Sequence, residues 1–266
     1  MPAHTELSIL PARSDPIRIV PLYDPGALLQ PTDDALAAAP AVAPKLTYRN
    51  GPLLTSVRVF TLFWGAAWQR GEPAALAPAL NAFFDFVLTS ALIDQLGEYG
   101  VPGKKIRHGK RIGTTTIATP APGRSVSDSA IRHMLQQAIA TNASVPQPTP
   151  NSLYFIYLPP GTRVVQGGAA SCQAFCGYHN DISAQIFYAV MPYAGCRGCL
   201  GGLSTLDAMT TTSSHELCEA ITDPVPGLGW YDDANGEIGD ICAWKTKKLG
   251  AYTVQLEWSN AHNRCA

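Results

Sequence analysis

All seven cysteines of this chain, at positions 172, 176, 196, 199, 218, 242 and 265, lie in its second half. Such crowding is unusual for an enzyme kept reduced, and it predicts a cross-linked C-terminal half with an oxidising history and one thiol left over. A second chemistry fits the first four. Cys172-x3-Cys176 and Cys196-x2-Cys199 approach the spacing of a four-cysteine structural zinc site, although the first pair is one residue wide. Cys218 is the natural odd thiol, with a small buried hydrophobe as its structural role.

Hydrophobic residues make up 46% of the 266 and charged residues 15%, enough apolar material for a sizeable core, so disorder throughout is excluded. The formal net charge is -1 and no long basic run is present, which removes long-range attraction to nucleic acid or anionic lipid. A small neutral partner fits better. No apolar run approaches the roughly 20 residues of a membrane helix, and the first twenty residues lack the order of a secretion signal. That absence agrees with an oxidising history only if export uses another route or a leader has been replaced.

Along the chain, residues 1–45 are rich in Pro and include ALAAAPAVAP, a composition that sustains neither helix nor strand for long and reads as an N-terminal arm. After Asn50-Gly51-Pro52, the β-branched and aromatic run 57–64 predicts a core strand. A long amphipathic helix is expected over 74–99, a strand near 114–119, a helix capped by Ser127, and strands at 152–158, 186–193 and 252–258. The order predicts one α+β domain over 46–266 with a mixed sheet.

The segment 206–222 places Leu206, Met209, Ser213, Leu217 and Ile221 near one helical face, and Asp223-Pro224 stops it. His215 and Glu219 within it are four residues apart, so an imidazole and a carboxylate stack on one face and can share an ion. Zinc accepts both ligand types, and a harder divalent ion fits the added carboxylate. In the related HExxH helix, the Glu beside the first His takes a proton from metal-bound water, a role that Glu216 matches here. Ser213-x-x-Glu216 also fits a capping box, which would make Glu216 a helix-start residue. The downstream loop offers Asp232, Asp233, Glu237 and Asp240; Asp240 is the expected third ligand and Glu237 the reserve, with a solvated turn or an all-acid calcium loop as the alternative.

The stretches YRNGPLLT (48–55), CGYHN (176–180), CRGC (196–199) and SSHELCEAITDP (213–224) resemble the exordium or phosphate-induced protein family, especially its bacterial members, from Leu46 to the C-terminus. Plant members are secreted, wall-associated proteins that keep the Asn-Gly-Pro and Cys-Gly-Tyr-His motifs and lose the His-Glu pair. The resemblance therefore implies a fold that persists without a metal site. It also implies an extracellular or periplasmic location and oxidised cysteines, with Cys242 joined to Cys265.

The SHExxExxTDP form with the later EIGDxC looks like a degenerate zinc-peptidase signature. It implies a zincin-like domain with Zn2+ on His215, Glu219 and Asp240, and Glu216 as catalytic base. The expected function is a metal-dependent hydrolase of peptide or amide bonds. The alternative is a noncatalytic wall- or surface-binding protein with a structural metal, using Trp64, Trp68, Trp230 and Tyr231 as a stacking surface. His179 in CGYHN either lines the same cleft or serves as a structural hydrogen-bonding residue.

Overall fold

The computed structural model describes residues 19–23 and 43–266. Its centre is a six-stranded sheet built from β1 (Ile19–Pro21), β2 (Arg58–Trp64), β3 (Lys110–Ile117), β4 (Ser152–Tyr157), β5 (Phe175–Ile182) and β6 (Ile186–Met191). The spatial order is β1-β5-β6-β4-β2-β3. Neighbours pair in parallel from β3 across to β6, whereas β5 runs against both β6 and β1. Parallel strands need long crossovers, and helices lie in two of them: α1 (Gly71–Val87) between the neighbours β2 and β3, and α2 (Asp128–Thr141) on the return from β3 past β2 to β4.

Continuous apolar runs in β2 and β4 predict strands buried on both faces, and they are. Val59, Phe63, Phe155, Tyr157, Ala189 and Met191 meet α1 and the helix α3 (Thr205–Thr222) on one face. Phe60, Leu62, Tyr154, Ile156, Tyr188 and Val190 meet α2 on the other. Ser127 caps α2 as expected, its Oγ accepting from Ala130 N at 3.2 Å. A hairpin of β7 (Thr246–Leu249) and β8 (Tyr252–Gln255) lies over α3, so the strand expected to reach Trp258 is shorter. No single helix among the described residues is long and apolar enough to cross a membrane.

Several expectations need correction. The helix read over 74–99 breaks after α1, because Ser90 starts a separate short helix, Ala91–Gln95, by accepting from Leu92 N at 3.3 Å. Within the arm, Ile19–Pro21 forms an edge strand on β5; a three-residue strand is too short for its alternation to show in sequence. Residues 1–18 and 24–42 of that arm lie outside the described residues. The aromatic stacking surface is absent at the residues proposed for it: Trp64, Trp68 and Tyr231 are buried, and half-buried Trp230 donates its indole N–H to Tyr99 O at 2.7 Å.

The four-cysteine zinc alternative also falls, because Cys172 pairs with Cys196 and Cys176 with Cys199 as disulfides. Cys242 pairs with Cys265, and Cys218 is free and buried.

Candidate metal centre

Helix α3 begins at Ser204, whose Oγ accepts from Asp207 N at 3.1 Å, so Ser213 lies deep inside it and is no capping residue. Its hydroxyl instead meets Tyr157 OH at 2.8 Å. Every residue from Ala208 to Thr222 is buried. A helix rich in Thr and Ser is accommodated where its hydroxyls find partners: Thr210 Oγ1 donates to Thr253 O at 2.8 Å, and Ser214 Oγ accepts from Gln255 N at 2.9 Å while donating to Thr211 O, whereas Thr211 Oγ1 has no partner. These bonds tie β8 to the helix turn that carries His215.

The helix stops at Asp223, whose carboxylate accepts from Gly227, Leu228 and Gly229 N–H groups at 2.5 to 3.0 Å. That reversal returns the acidic loop onto the helix. Where it passes His215 the packing is so close that a Cβ on Gly239 would sit 2.8 Å from the imidazole Nδ1 and 2.9 Å from Glu219 Oε1.

His215 Nε2 is 2.9 Å from Glu219 Oε1 and 3.9 Å from Asp240 Oδ1. These three side chains form one group whose ligand atoms all lie within 4.8 Å of one another. The other ring nitrogen, Nδ1, lies 3.1 Å from Gln255 Oε1, and the Gln255 amide is oriented by donating Nε2–H to Gly239 O at 2.9 Å. Gln255 therefore presents an acceptor, Nδ1 carries the hydrogen, and Nε2 is the atom turned to Glu219 and Asp240. Nε2 is buried and has no hydrogen-bond partner despite its nearness to Glu219.

Glu216 lies beside this group. Its Oε2 is 3.1 Å from His179 Nδ1 on β5, while its Oε1 is buried without a partner. Gly177 makes room for it, since a Cβ there would lie 3.3 Å from Glu216 Oε1 and closer still to Met191 and Thr212. His179 also reaches Glu219 Oε2 at 3.4 Å and, through Nε2, the carbonyl of Asp223 at 3.1 Å. His179 is thus a member of the charged cluster.

Among the loop acids, Asp240 faces His215, whereas Glu237 Oε1 lies 3.5 Å from His179 Nε2. Asp232 accepts from Lys45, Ala234 and Asn235 backbone N–H groups and serves as a turn anchor, and exposed Asp233 pairs with Arg49 at 2.7 Å. The all-acid calcium loop therefore loses two of its members. Two further residues come from the end of β8 and beyond it, Gln255 and Glu257, and Glu257 is buried with both carboxylate oxygens unpartnered. The available signal was alternation: Thr253, Gln255 and Glu257 put polar groups at every second position of the segment 252–258 read as a strand.

Burying this many acids is costly, and their mutual charges and burial shift the protons they hold. Burial raises Glu216 to about 7, against the pull of its bond with His179. Burial and the charge of Glu219 raise Asp240 to about 8, and the same causes lift Glu237 well above the carboxylate range. Burial opposes ionisation of Glu219 too, yet His215 and His179 hold it down at about 2. The carboxylates in turn keep a proton on His215 well above its ordinary range, although burial works the other way. A divalent ion at Nε2 would replace that proton.

No protein-family model matches the chain, and no curated protein matches it.

Proposed function

We propose that the chain is a metal-dependent hydrolase of peptide or small amide bonds, with a zinc or other divalent ion held by His215, Glu219 and Asp240. The observation that carries this reading is the convergence of His215 Nε2, Glu219 and Asp240 with the far ring nitrogen held by Gln255, beside an unpartnered Glu216 Oε1. Bound there, a divalent ion supplies Lewis acidity toward a water and a carbonyl. Glu216 takes the water's proton at Oε1 and returns it to the leaving amine, while His179 holds the opposite oxygen. A base beside the first ligand is a feature that an inert calcium loop does not need.

The zincin-like reading of the fold rests on α3 lying along a mixed sheet beside its reversed strand β5. Membership of the exordium family remains part of the proposal, carried by the four motifs given above. The three disulfides are compatible with an oxidising compartment, and from them we infer an extracellular or periplasmic location.

Full burial of His215, Glu216 and Glu219 favours one second reading, a noncatalytic wall- or surface-binding protein whose ion stabilises the acidic loop. The Glu216→Gln substitution separates the two. The amide fills the same space and cannot take a proton, so a hydrolase keeps its ion and loses cleavage of a peptide library, whereas the binding protein is unchanged.

A further inference from the structure

Glu219 faces two ways. Its Oε1 lies with His215 and Asp240, while its Oε2, buried and without a hydrogen-bond partner, faces His179. We propose that His179, Glu216 and Glu219 hold a second divalent cation, so that Glu219 bridges a two-ion centre. The proposal rests on the reading of His215, Glu219 and Asp240 as a metal site, because the two groups share Glu219.

The hydrogen-bond pattern of His179 is the first ground. A backbone carbonyl can only accept, so the 3.1 Å contact between Nε2 and Asp223 O puts a hydrogen on Nε2. In the neutral ring, Nδ1 then presents a lone pair to Glu216 Oε2 at 3.1 Å and to Glu219 Oε2 at 3.4 Å. Three lone-pair atoms facing one another in a buried space repel unless a cation, or a second proton on the ring, lies among them. Ligand atoms about 2.1 Å from a shared ion sit roughly 3.0 to 3.5 Å apart at tetrahedral or octahedral angles, which matches both separations.

Charge is the second ground. Glu216, Glu219, Glu237, Asp240 and the nearby buried Glu257 bring five negative charges when ionised, and among the described residues the basic groups at ion-pair distance from the first four are the imidazoles of His179 and His215. With both rings neutral, one divalent ion leaves three of those five charges uncompensated and two leave one. A bridging carboxylate suits the spacing of about 3.5–4 Å found in two-metal hydrolytic centres. One imidazole with carboxylates suits Zn2+ or Mn2+. Glu216 would give Oε2 to the second ion and keep Oε1, which has no partner, for the proton.

The competing occupant is a proton that makes His179 an imidazolium, and counting ions tells them apart. Chelator-stripped protein is titrated with Mn2+ and weighed intact by native mass spectrometry, with the spin signal followed in parallel. Two ions per chain are expected, the second changing the spectrum of the first by exchange through the shared carboxylate. His179→Gln should retain the first ion and bind the second at least about tenfold more weakly; should that variant not fold, the wild-type count and spectrum decide. A wild-type count that stops at one overturns the second site and leaves the first standing. A count of two that His179→Gln does not alter also overturns it, and a count of zero defeats the underlying metal reading as well.

Discussion

His215 Nδ1 and Gln255 Oε1 stand 3.1 Å apart, joining the helix that carries the HExxE pattern to the strand that closes over it. Since Gln255 Nε2 is held by Gly239 O, this one amide also ties the acidic loop to the same imidazole. Replacing it by Leu frees the ring to rotate and leaves a buried N–H unpaired. Gln255→Leu should weaken metal affinity about 10- to 100-fold while preserving the fold, read by competition against a fluorescent chelator.

Gly239 tests the close approach of the loop. A methyl group at this position would press on the His215 ring and on Glu219 Oε1. Gly239→Ala should push the loop outward, separating Asp240 from the helix ligands and lowering metal affinity by at least about tenfold, with unchanged far-ultraviolet circular dichroism.

The protonation pattern predicts an inverted pH response in metal-free protein. Glu216, raised to about 7, and Asp240, raised to about 8, contribute stability that is full below their unfolded values and is lost as pH rises through the folded ones. Glu219 acts oppositely, but its contribution is lost only as pH falls toward about 2. The melting temperature of the chelated protein should therefore fall between about pH 5 and pH 8, and saturating divalent ion should remove most of that fall. A flat profile without metal would contradict it.

Removal of the Cys242–Cys265 bridge should act on both stability and binding. It closes a loop with a sequence separation of 23, for which chain entropy gives about 3 kcal/mol. Cys242 is also two residues from Asp240, so the double Ala variant should bind metal more weakly as well as melting earlier.

Much of this was legible in the sequence, for identifiable reasons. The strands β2, β4 and β6 are dense in β-branched and aromatic residues, and α3 has both a helical period and a proline stop, so their placement followed. His215 and Glu219 are near in sequence and need only a helix to meet. Strand β5 was not read, because Cys-Gly-Tyr-His-Asn has neither clean alternation nor an apolar run. With it went the placement of His179 against Glu216, which depends on β5 passing beneath α3. Gln255, Glu257 and the three backbone bonds to Asp223 depend on long-range chain reversals that local periodicity does not encode. The capping-box reading of Ser213 failed because the true cap, Ser204, lies two and a half turns earlier.

The most direct measurement is the metal content of protein purified without chelator, taken with its melting temperature before and after added Zn2+, Mn2+ or Ca2+. At least one divalent ion per chain, lost in His215→Ala and retained in Glu216→Gln, is the expected result. Protein with no stoichiometric ion and no gain in melting temperature from any of the three would contradict a metal centre at His215, Glu219 and Asp240.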